Sequence, residues 1–513
     1  MELLQDKPVS FSVEEALALV LAHIRRMPSE QVGIVESYDR ILAQDVISDI
    51  DLCPFDNAGM DGYAVRFADL EKAQLTLGRA LKLKVVGIIA AGEVYEGNLQ
   101  KGKALRIMTG APIPPGADTV IKIEDVKVLG ESPKRPEGSE ILVSLMPKYR
   151  SHVRFKGEEA RRGEVVLVAG ERIGAPAAGL LASTGNVTVN VYGRPRVAII
   201  STGSELVSVS ETPGPGQIRN SNSYSLAASV IESGGIPTIL PTVKDRLDAL
   251  CNALKHAASS YDFVITSGGA SDGDFDFAAA AVQELGEVFF SKVNIKPGKS
   301  LVFGLIDDAL IFGLPGNPGA ASVSFELFVR PALLKAQGAT ILERPITRAA
   351  LTQDIPKKPD HRRVYLRAFL ERAKPGEPAA ETVGGPAETL VDGMAGEPAG
   401  KPAESLAKGP AGELAGEPAG RPAETLVDGS AGEPAGRPAE SLAEGQTGNS
   451  TGRSTESSYG GYIVTPDTHQ SSALLGALNR SNCLVIIPEG QGPFSAGDTV
   501  DCLRLDMKEG TVS

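Results

Sequence analysis

The sequence predicts a multidomain fold of α/β and β parts: a central α/β domain with a parallel-rich sheet, β-rich N-terminal domains, and a small C-terminal β-barrel-like domain split by a disordered insert. Three observations predict it. Between residues 194 and 337, short β-branched runs alternate with helical stretches, the pattern of parallel strands joined by crossover helices. On either side the apolar runs are short and broken by turn formers, as in β-rich modules. From 373 to 458 there is no aromatic residue and no isoleucine, so that segment cannot bury enough apolar surface to offset its ordering entropy. With 513 residues and about 150 residues per domain, roughly three or four domains are expected.

The elements follow in chain order. "SVEEALALVLAHIRRM" reads as an amphipathic helix: Ser12 and Glu15 form a capping box, and Leu17, Val20, Leu21 and Ile24 recur at helical spacing. It opens the fold and lacks the basic start and cleavage signature of a secretory signal. Residues 30 to 190 carry runs such as "LKLKVVGIIAAG" and "ADTVIKIEDV" among many turns, which suggests strands. One loop there, "DLCPFDNAGMDGY" (51 to 63), is dense in acids, glycines and turn formers. Taken alone it fits a solvated turn with Phe55 and Met60 tucked into the core.

In the α/β span, "RPRVAIISTG" is a buried strand ending in a glycine turn. A helix (Ser223 to Ser233), the strand "IPTILPTV", a helix (Arg246 to Ala258) and the strand "DFVITSGG" follow. The insert repeats "PAETLVDG" at 386 and 422, and "PAESLAKG" or "PAESLAEG" at 402 and 438. Each block offers too little apolar surface to stack as a solenoid. The pieces flanking it read as one β-domain carrying a long loop, since loop closure grows costly only logarithmically with length. The expected boundaries are 1–193 for the N-terminal regions (subdomains of roughly 1–50 with 150–193, and 51–149), 194–337, 338–372 with 459–513, and 373–458 for the insert.

A formal net charge of −13 argues against non-specific binding to nucleic acid or anionic membrane. No apolar run approaches the roughly 20 residues that span a bilayer. Four scattered cysteines and five histidines form no zinc or disulfide pattern, which fits a reducing cytoplasm. A small-molecule or protein partner is expected.

The chemistry gathers at the strand ends of the α/β span. "STGSEL" (201 to 206), "TVKDR" (242 to 246) and "TSGGASDGDFDF" (266 to 277) place Ser201, Thr202, Gly203, Ser267, Gly268 and Gly269 where hydroxyls and backbone N–H groups can cradle a phosphate. Glu205, Asp245, Asp274 and Asp276 are candidates for one acidic cluster. Each alone reads as a cap or a surface residue; together they suit a phosphate bound with Mg2+, a hard cation that bridges carboxylates to phosphates. In "NIKPGKSLVFG", Lys296 and Lys299 bracket a Pro-Gly turn and can hold an oxyanion. "GLPGNPGAASVSF" then places Asn317 at a helix start, a second anion-favouring feature. No G-x-G-x-x-G, Walker or G-x-S-x-G motif is present, which disfavours dinucleotide oxidoreduction, P-loop chemistry and an ordinary hydrolase triad.

Eight stretches in order, "PFDNAGMDGYAV", "LRIMTGAPIPPGADTVIKIEDV", "VRFKGEEARRGE", "ISTGSELV", "IRNSNSYSL", "SGGASDGDFD", "KPGKSLVFG" and "FGLPGNPGAASVSFELFVRP", resemble the MoeA-type molybdopterin molybdenumtransferases, the family that includes the gephyrin E domain. The resemblance runs over nearly all of 10 to 372 and 459 to 507. It implies that the α/β domain binds molybdopterin and that molybdate is inserted into adenylylated molybdopterin, with Mg2+-dependent release of AMP. It also implies a cytoplasmic homodimer with a composite active site, in which the "DNAGMDGYA" loop of one subunit reaches the α/β domain of the other. A molybdopterin adenylyltransferase and molybdoenzyme apoproteins would be its partners.

By motif position, Asp61, Thr109, Glu205, Asp245 and Asp276 would belong to the pterin-nucleotide and Mg2+ site, with Asp245, Asp276 and Glu205 as metal ligands. Arg154 and Glu159 would serve the substrate, and Lys296, Lys299, Arg363, Ser471 and Ser472 the oxyanion. Asp56 would cap its loop. The sequence departs from the family pattern at Ala58, Glu159, Asp272, Ser300 and Ala320, where Ser, Asp, Val, Pro and a nearby Ser are usual, so metal preference between molybdate and tungstate stays open. An adenylyltransferase, or a scaffold of the same fold without activity, are the alternatives.

Overall fold

The computed structural model describes residues 10–73, 80–129, 138–268, 277–373 and 461–509. The expected insert lies, from residue 374 onward, outside the described residues, and so do Gly269 and Asp276.

A six-stranded sheet forms the α/β domain: β1 (Arg196–Ser201), β2 (Ile236–Ile239), β3 (Phe263–Ser267), β4 (Glu287–Lys292), β5 (Ser300–Ile306) and β6 (Ala309–Leu314) stand in the order β2-β1-β3-β6-β5-β4. The β2-β1, β1-β3 and β3-β6 pairs are parallel. β6 and β5 pair antiparallel, as do β5 and β4. The far edge is therefore a meander rather than more parallel strands, because Asp307-Asp308 closes a two-residue hairpin in which Asp307 takes φ 51°.

Alternation along β1 and β3 sends Val197, Ile199, Phe263 and Ile265 to one face and Ala198, Ile200 and Val264 to the other. Helices α2 (Leu247–Ala258) and α3 (Phe277–Leu285) cover the second face. The first is covered by α1 (Asn222–Glu232) and by a helical run that starts as α4 (Pro318–Ser324), passes through a π-turn (Phe325–Val329) and ends at Ala336.

The N-terminal helix, Val13–His23, carries the expected capping box: Ser12 Oγ accepts the Glu15 N–H at 3.2 Å and Glu15 Oε2 accepts the Ser12 N–H at 2.8 Å. Its buried face is Val13, Ala16 and Val20, with Ile24 just beyond and Leu17 and Leu21 half-buried at its flanks. This face packs into the α/β core, and His23 stacks on Phe289. The helix thus joins a different core from the 29–193 region that follows it in sequence.

The two pieces on either side of the insert interlock. Arg363–Arg372 pairs with Tyr462–Pro466, which pairs with Ile346–Leu351, then Thr499–Arg504, then Cys483–Ile487, which returns to Arg363–Arg372. The ring closes, so it leaves no free edge within it. Ala349, Val364, Leu366, Val464, Val485 and Cys502 fill it. Tyr365, Leu484 and Leu503 turn the other way and enter the α/β core, which fuses barrel and sheet into one packed body.

The 51–158 region has its own six-stranded sheet, built on Gly62–Val65, Leu81–Ile89, Lys103–Ile107, Thr119–Lys122, Val126–Leu129 and Glu140–Val143. Tyr63 and Val65 face one core and Ala64 another. The short antiparallel ribbon of Val46–Ile47 with Val165–Leu167 leads to it, and a second, Asn57–Ala58 with Val153–Arg154, packs in its own core through Ala58 and Val153.

Candidate functional site

At the carboxyl ends of β1, β3 and β6 the chain is both polar and closely packed. Ser201 Oγ, buried, bonds Ser223 Oγ at 2.7 Å and Asn220 Oδ1 at 3.1 Å. The Thr202 N–H donates to Ser267 O at 2.9 Å. Asn222 donates both amide hydrogens, to Ser267 Oγ and to the Gly316 carbonyl, each at 2.8 Å. A carbonyl can only accept, so the amide orientation is fixed and its oxygen is left over. Among the described residues Asn222 Oδ1 and Thr202 Oγ1 are buried with no hydrogen-bond partner. Such atoms in an otherwise satisfied network mark where a ligand's polar edge or an ordered water belongs.

Backbones approach closely here. A Cβ at Gly268, where φ is +97°, would lie 2.4 Å from the Thr202 carbonyl oxygen, and Gly316 packs on the other side of Gly268. The path continues along α4. The Gly319 N–H donates to Ser472 O at 2.7 Å, which docks the barrel's 467–474 loop on the helix start. Gly298 of the lysine turn, φ +108°, sits against Ser324 Oγ and Ala320 O, with no room for a larger residue. Ala320 is buried, and the hydroxyl of Ser324, one turn later, is buried and unpartnered among the described residues.

The carboxylates lie at the β1 end of this path. Asp245 Oδ2 accepts the Ser204 N–H at 3.0 Å, and the Glu205 carboxylate folds back over Gly203. Both flank the Gly203-Ser204 peptide. Among the described residues no group of three or more metal-ligating side chains is assembled. Two carboxylates beside the polar strand ends nevertheless fit Mg2+, which typically takes one or two protein carboxylates and completes its shell with water and phosphate. The third expected acid, Asp276, is among the residues not described.

At the lysine end, Lys296 Nζ is 3.4 Å from Asp360 Oδ2. Arg363, expected at the oxyanion, has its guanidinium taken up by Glu14 of the N-terminal helix and by Glu489, 3.2 Å away. Ser471 is exposed and Ser472 half-buried. Sequence reasoning missed Arg367, a buried guanidinium that donates to the carbonyls of His469, Ser471 and Leu474 at 2.9, 2.8 and 3.0 Å and so shapes the Ser471-Ser472 loop. A lone arginine inside a strand gives no signal of that role.

Asp61 and Thr109 meet on the 51–158 module. Asp61 Oδ1 accepts both the N–H and the O–H of Thr109 at 2.8 Å, and these bonds, with Arg106 nearby, hold its carboxyl below the usual range. Gly62 is required beside it, since a Cβ would fall 2.0 Å from Ile121 O. Asp56 ties its loop to the facing 155–158 turn, accepting the Lys156 N–H at 2.8 Å. Phe55 and Met60 are not tucked into the core: they are 43% and 42% exposed, because the backbone pairing of Asn57–Ala58 with Val153–Arg154 turns the loop's tip outward. Arg154 and Glu159 line, with Cys53 and Glu158, a surface hollow of about 390 Å³. Among the described residues the structure places the predicted ones apart: Asp61 with Thr109, Arg154 with Glu159 at the hollow, Glu205 and Asp245 beside Gly203 at the strand ends, and Lys296 at the lysine turn.

Comparisons with known proteins agree over the described fold. Residues 11–185 match the model of the MoeA N-terminal region (domain I and II), 198–335 that of a probable molybdopterin binding domain, and 442–505 that of the MoeA C-terminal region (domain IV). The chain is similar to the molybdopterin molybdenumtransferase of Bacillus subtilis (strain 168), 37% identical over 396 residues, 76% of this chain and 89% of the relative. It is 35% identical over 370 residues to that of Staphylococcus aureus (strain COL), 72% of this chain and 86% of the relative. The crystal structure of the molybdopterin biosynthesis MoeA protein of Pyrococcus horikoshii OT3 superposes with a TM-score of 0.67 at 25% identity, over 96% of this chain and 99% of that one.

Proposed function

The chain belongs to the MoeA family of molybdopterin molybdenumtransferases, and from that premise we propose how its residues divide the work. It is a transferase of molybdenum cofactor biosynthesis that inserts molybdenum. In our reading the substrate pair is adenylylated molybdopterin and molybdate, and AMP leaves as the cofactor forms. The β1 and β3 ends, Ser201 to Gly203 and Ser267 to Gly269, receive the nucleotide. A Mg2+ ion held by Glu205, Asp245 and Asp276 would offset the charge of its phosphates. Lys296 and Lys299 hold the molybdate oxyanion, with Arg363, Ser471 and Ser472 framing that end.

Asp61, Thr109, Arg154 and Glu159 complete the site from a second subunit. The 51–158 module packs around its own two cores and carries Phe55 and Met60 exposed at its loop tip, as a segment meant to dock elsewhere would. The dimer is thus part of the proposal, as are cytoplasmic residence and transfer from an adenylyltransferase to molybdoenzyme apoproteins. Among the described residues no helix is long and apolar enough to cross a membrane.

One observation supports this reading: a chain of close backbone contacts links the strand ends to the lysine turn, Thr202 to Gly268, Gly268 to Gly316, and Gly298 to Ala320 and Ser324 of α4. A two-anion reaction needs both ends on one surface. The test is molybdate-dependent AMP release from adenylylated molybdopterin with Mg2+, on the wild type and on Asp276→Ala, with tungstate in parallel. Release that the substitution abolishes is expected. Absence of release from the folded wild type would reject the transferase mechanism.

A further inference from the structure

Behind the Asp61 and Thr109 pair stands an arginine that the sequence did not single out. Arg106 lies inside the apolar run "ALRIMTG", on the strand Lys103–Ile107 that pairs antiparallel with Gly62–Val65. The register sets Gly62 opposite Ile107 and Tyr63 opposite Arg106. Asp61 and Thr109 therefore sit just past the last of these pairs, at the same end of the two strands, with Arg106 one pair further in. Arg106 Nη1 donates to the Gly62 carbonyl at 2.8 Å and to the Ile107 carbonyl at 3.2 Å, one on each strand. It bridges the strands at the end that carries Asp61.

The surroundings make its charge count. Arg106 is 6% exposed, and its guanidinium lies over the Tyr63 ring, 5.4 Å from the centroid. Tyr63 is fully buried, its hydroxyl has no hydrogen-bond partner among the described residues, and burial pushes its phenol pKa up. A charge in so dry a place is weakly screened. Arg106 gives its Nη1 hydrogens to carbonyls, which accept them without cancelling the charge. Desolvating a guanidinium is costly, and two carbonyl bonds between strands already laddered together repay little of that cost. An apolar residue such as the flanking Leu105 or Ile107 would hold the strands more cheaply, so the charge points to another use. Asp61, exposed at the strand end, is the carboxylate that feels it. Both Thr109 donors share Asp61 Oδ1, which leaves Oδ2 without a partner among the described residues. Arg106 adds to those two bonds in holding the carboxyl ionised.

Resting on the transferase reading above, we propose that Arg106 is a positioning residue of the reaction. It fixes the strand end that carries Asp61 and backs that carboxylate with a buried positive charge, so that Oδ2 meets a hydrogen-bond donor of the bound pterin nucleotide as an anion. Arg106 itself touches no substrate. Lysine can donate to the same two carbonyls and keeps the charge, whereas methionine keeps the apolar stem and loses both. Because Arg106 acts through Asp61, its removal matters only while residue 61 is charged.

The experiment is a double-mutant cycle on the full chain: wild type, Arg106→Met, Asp61→Asn and the two together, with Arg106→Lys as the conservative variant. Each is assayed for molybdate-dependent AMP release and checked by thermal unfolding. Arg106→Met should lower kcat about tenfold, the loss of one charge-assisted contact, and leave the KM for molybdate within about twofold, since the oxyanion is held elsewhere. Lysine should restore most of the rate. In the Asp61→Asn background the same Arg106→Met change should alter the rate by less than about twofold, because the charge it removes no longer has a carboxylate to act on. Should Arg106→Met not fold, Arg106→Gln runs the same cycle. Wild-type kcat in Arg106→Met would overturn this inference and leave the transferase reading standing. A loss that lysine does not restore, or one that adds in full to that of Asp61→Asn, would mark a packing role and overturn it as well. A wild type that releases no AMP would instead bring down the reading on which the inference rests.

Discussion

Around Lys296 the chain is locked to itself, whereas around Asp61 it stands on an arm. The lysine end sits where sheet and barrel share one core, with Tyr365, Leu484 and Leu503 packed among Phe303, Phe312 and Phe328. Charges bind that body further: Arg344 joins Glu326 and Glu232 at 2.7 and 2.8 Å, and Arg330 joins Glu509. The Asp61 end belongs to a module with separate cores, reached through the short ribbon of Val46–Ile47 with Val165–Leu167. On the proposed reading, the difference would match the two tasks: an oxyanion would be placed on the rigid body, and the Asp61 group would be brought to it by docking.

The largest effect should come from the locked side. Arg330 and Glu509 have side chains only 2% and 3% exposed, and although burial pushes the Glu509 carboxyl up, Arg330 prevails and holds it down. Arg330→Met leaves that carboxylate buried without its partner and should cost about 3–5 kcal/mol. Calorimetric or denaturant unfolding should show the sheet and barrel transition moving down while a second transition, that of the 51–158 module, stays in place. If a single transition moved as a whole, the two regions would be one cooperative unit and the contrast would fail.

Next is Asp61 itself. Asp61→Asn keeps the shape but removes the charge, and should lower the rate of AMP release about 10²-fold, the typical cost of one preorganised electrostatic contact. Asp245→Asn should do comparable damage from the other end. If the two residues come from different subunits, mixed dimers of these variants contain one intact site and one doubly damaged site. Random mixing then recovers about a quarter of the wild-type rate, since half the dimers are mixed. Recovery no greater than the sum of the parents would place both residues in one chain and break the comparison at its centre.

Much of the locked side was legible in sequence. Strand and helix alternation located β1, β3 and their polar ends, and Ser12 with Glu15 announced a helix start. Periodicity showed that the N-terminal helix buries a face but could not show against what; the partner is the α/β core, about 170 residues or more further along the chain. The Asp307-Asp308 hairpin was missed because no glycine or asparagine marks it. In "KKPDHRRV" the charges read as a solvated turn, and nothing local shows that Lys296, some 60 residues earlier, pairs with Asp360. The resemblance pointed to Arg363, and nothing local shows that its guanidinium is taken up by Glu14 and Glu489. On the arm, the loop's turn formers were legible, but the outward aim of Phe55 and Met60 was not, because apolar residues in a loop are buried by default expectation.

The smallest expected effect tests that aim. Phe55 and Met60 keep two fifths of their surface in water within one chain, so replacing both with serine removes little internal packing and should leave the module's own unfolding within about 0.5 kcal/mol of wild type. If the loop docks on a second subunit, the surface still exposed is buried there, and losing it should cost on the order of 1–2 kcal/mol of association, or about tenfold in the dimer Kd. Sedimentation of the Phe55→Ser, Met60→Ser double variant over a concentration series reads that shift directly. Weakened association with an unchanged melting profile is what a docking arm requires. Unchanged association with a lowered module transition would mean instead that the two side chains serve their own sheet, and that the arm meets its ligand without help from a partner's surface.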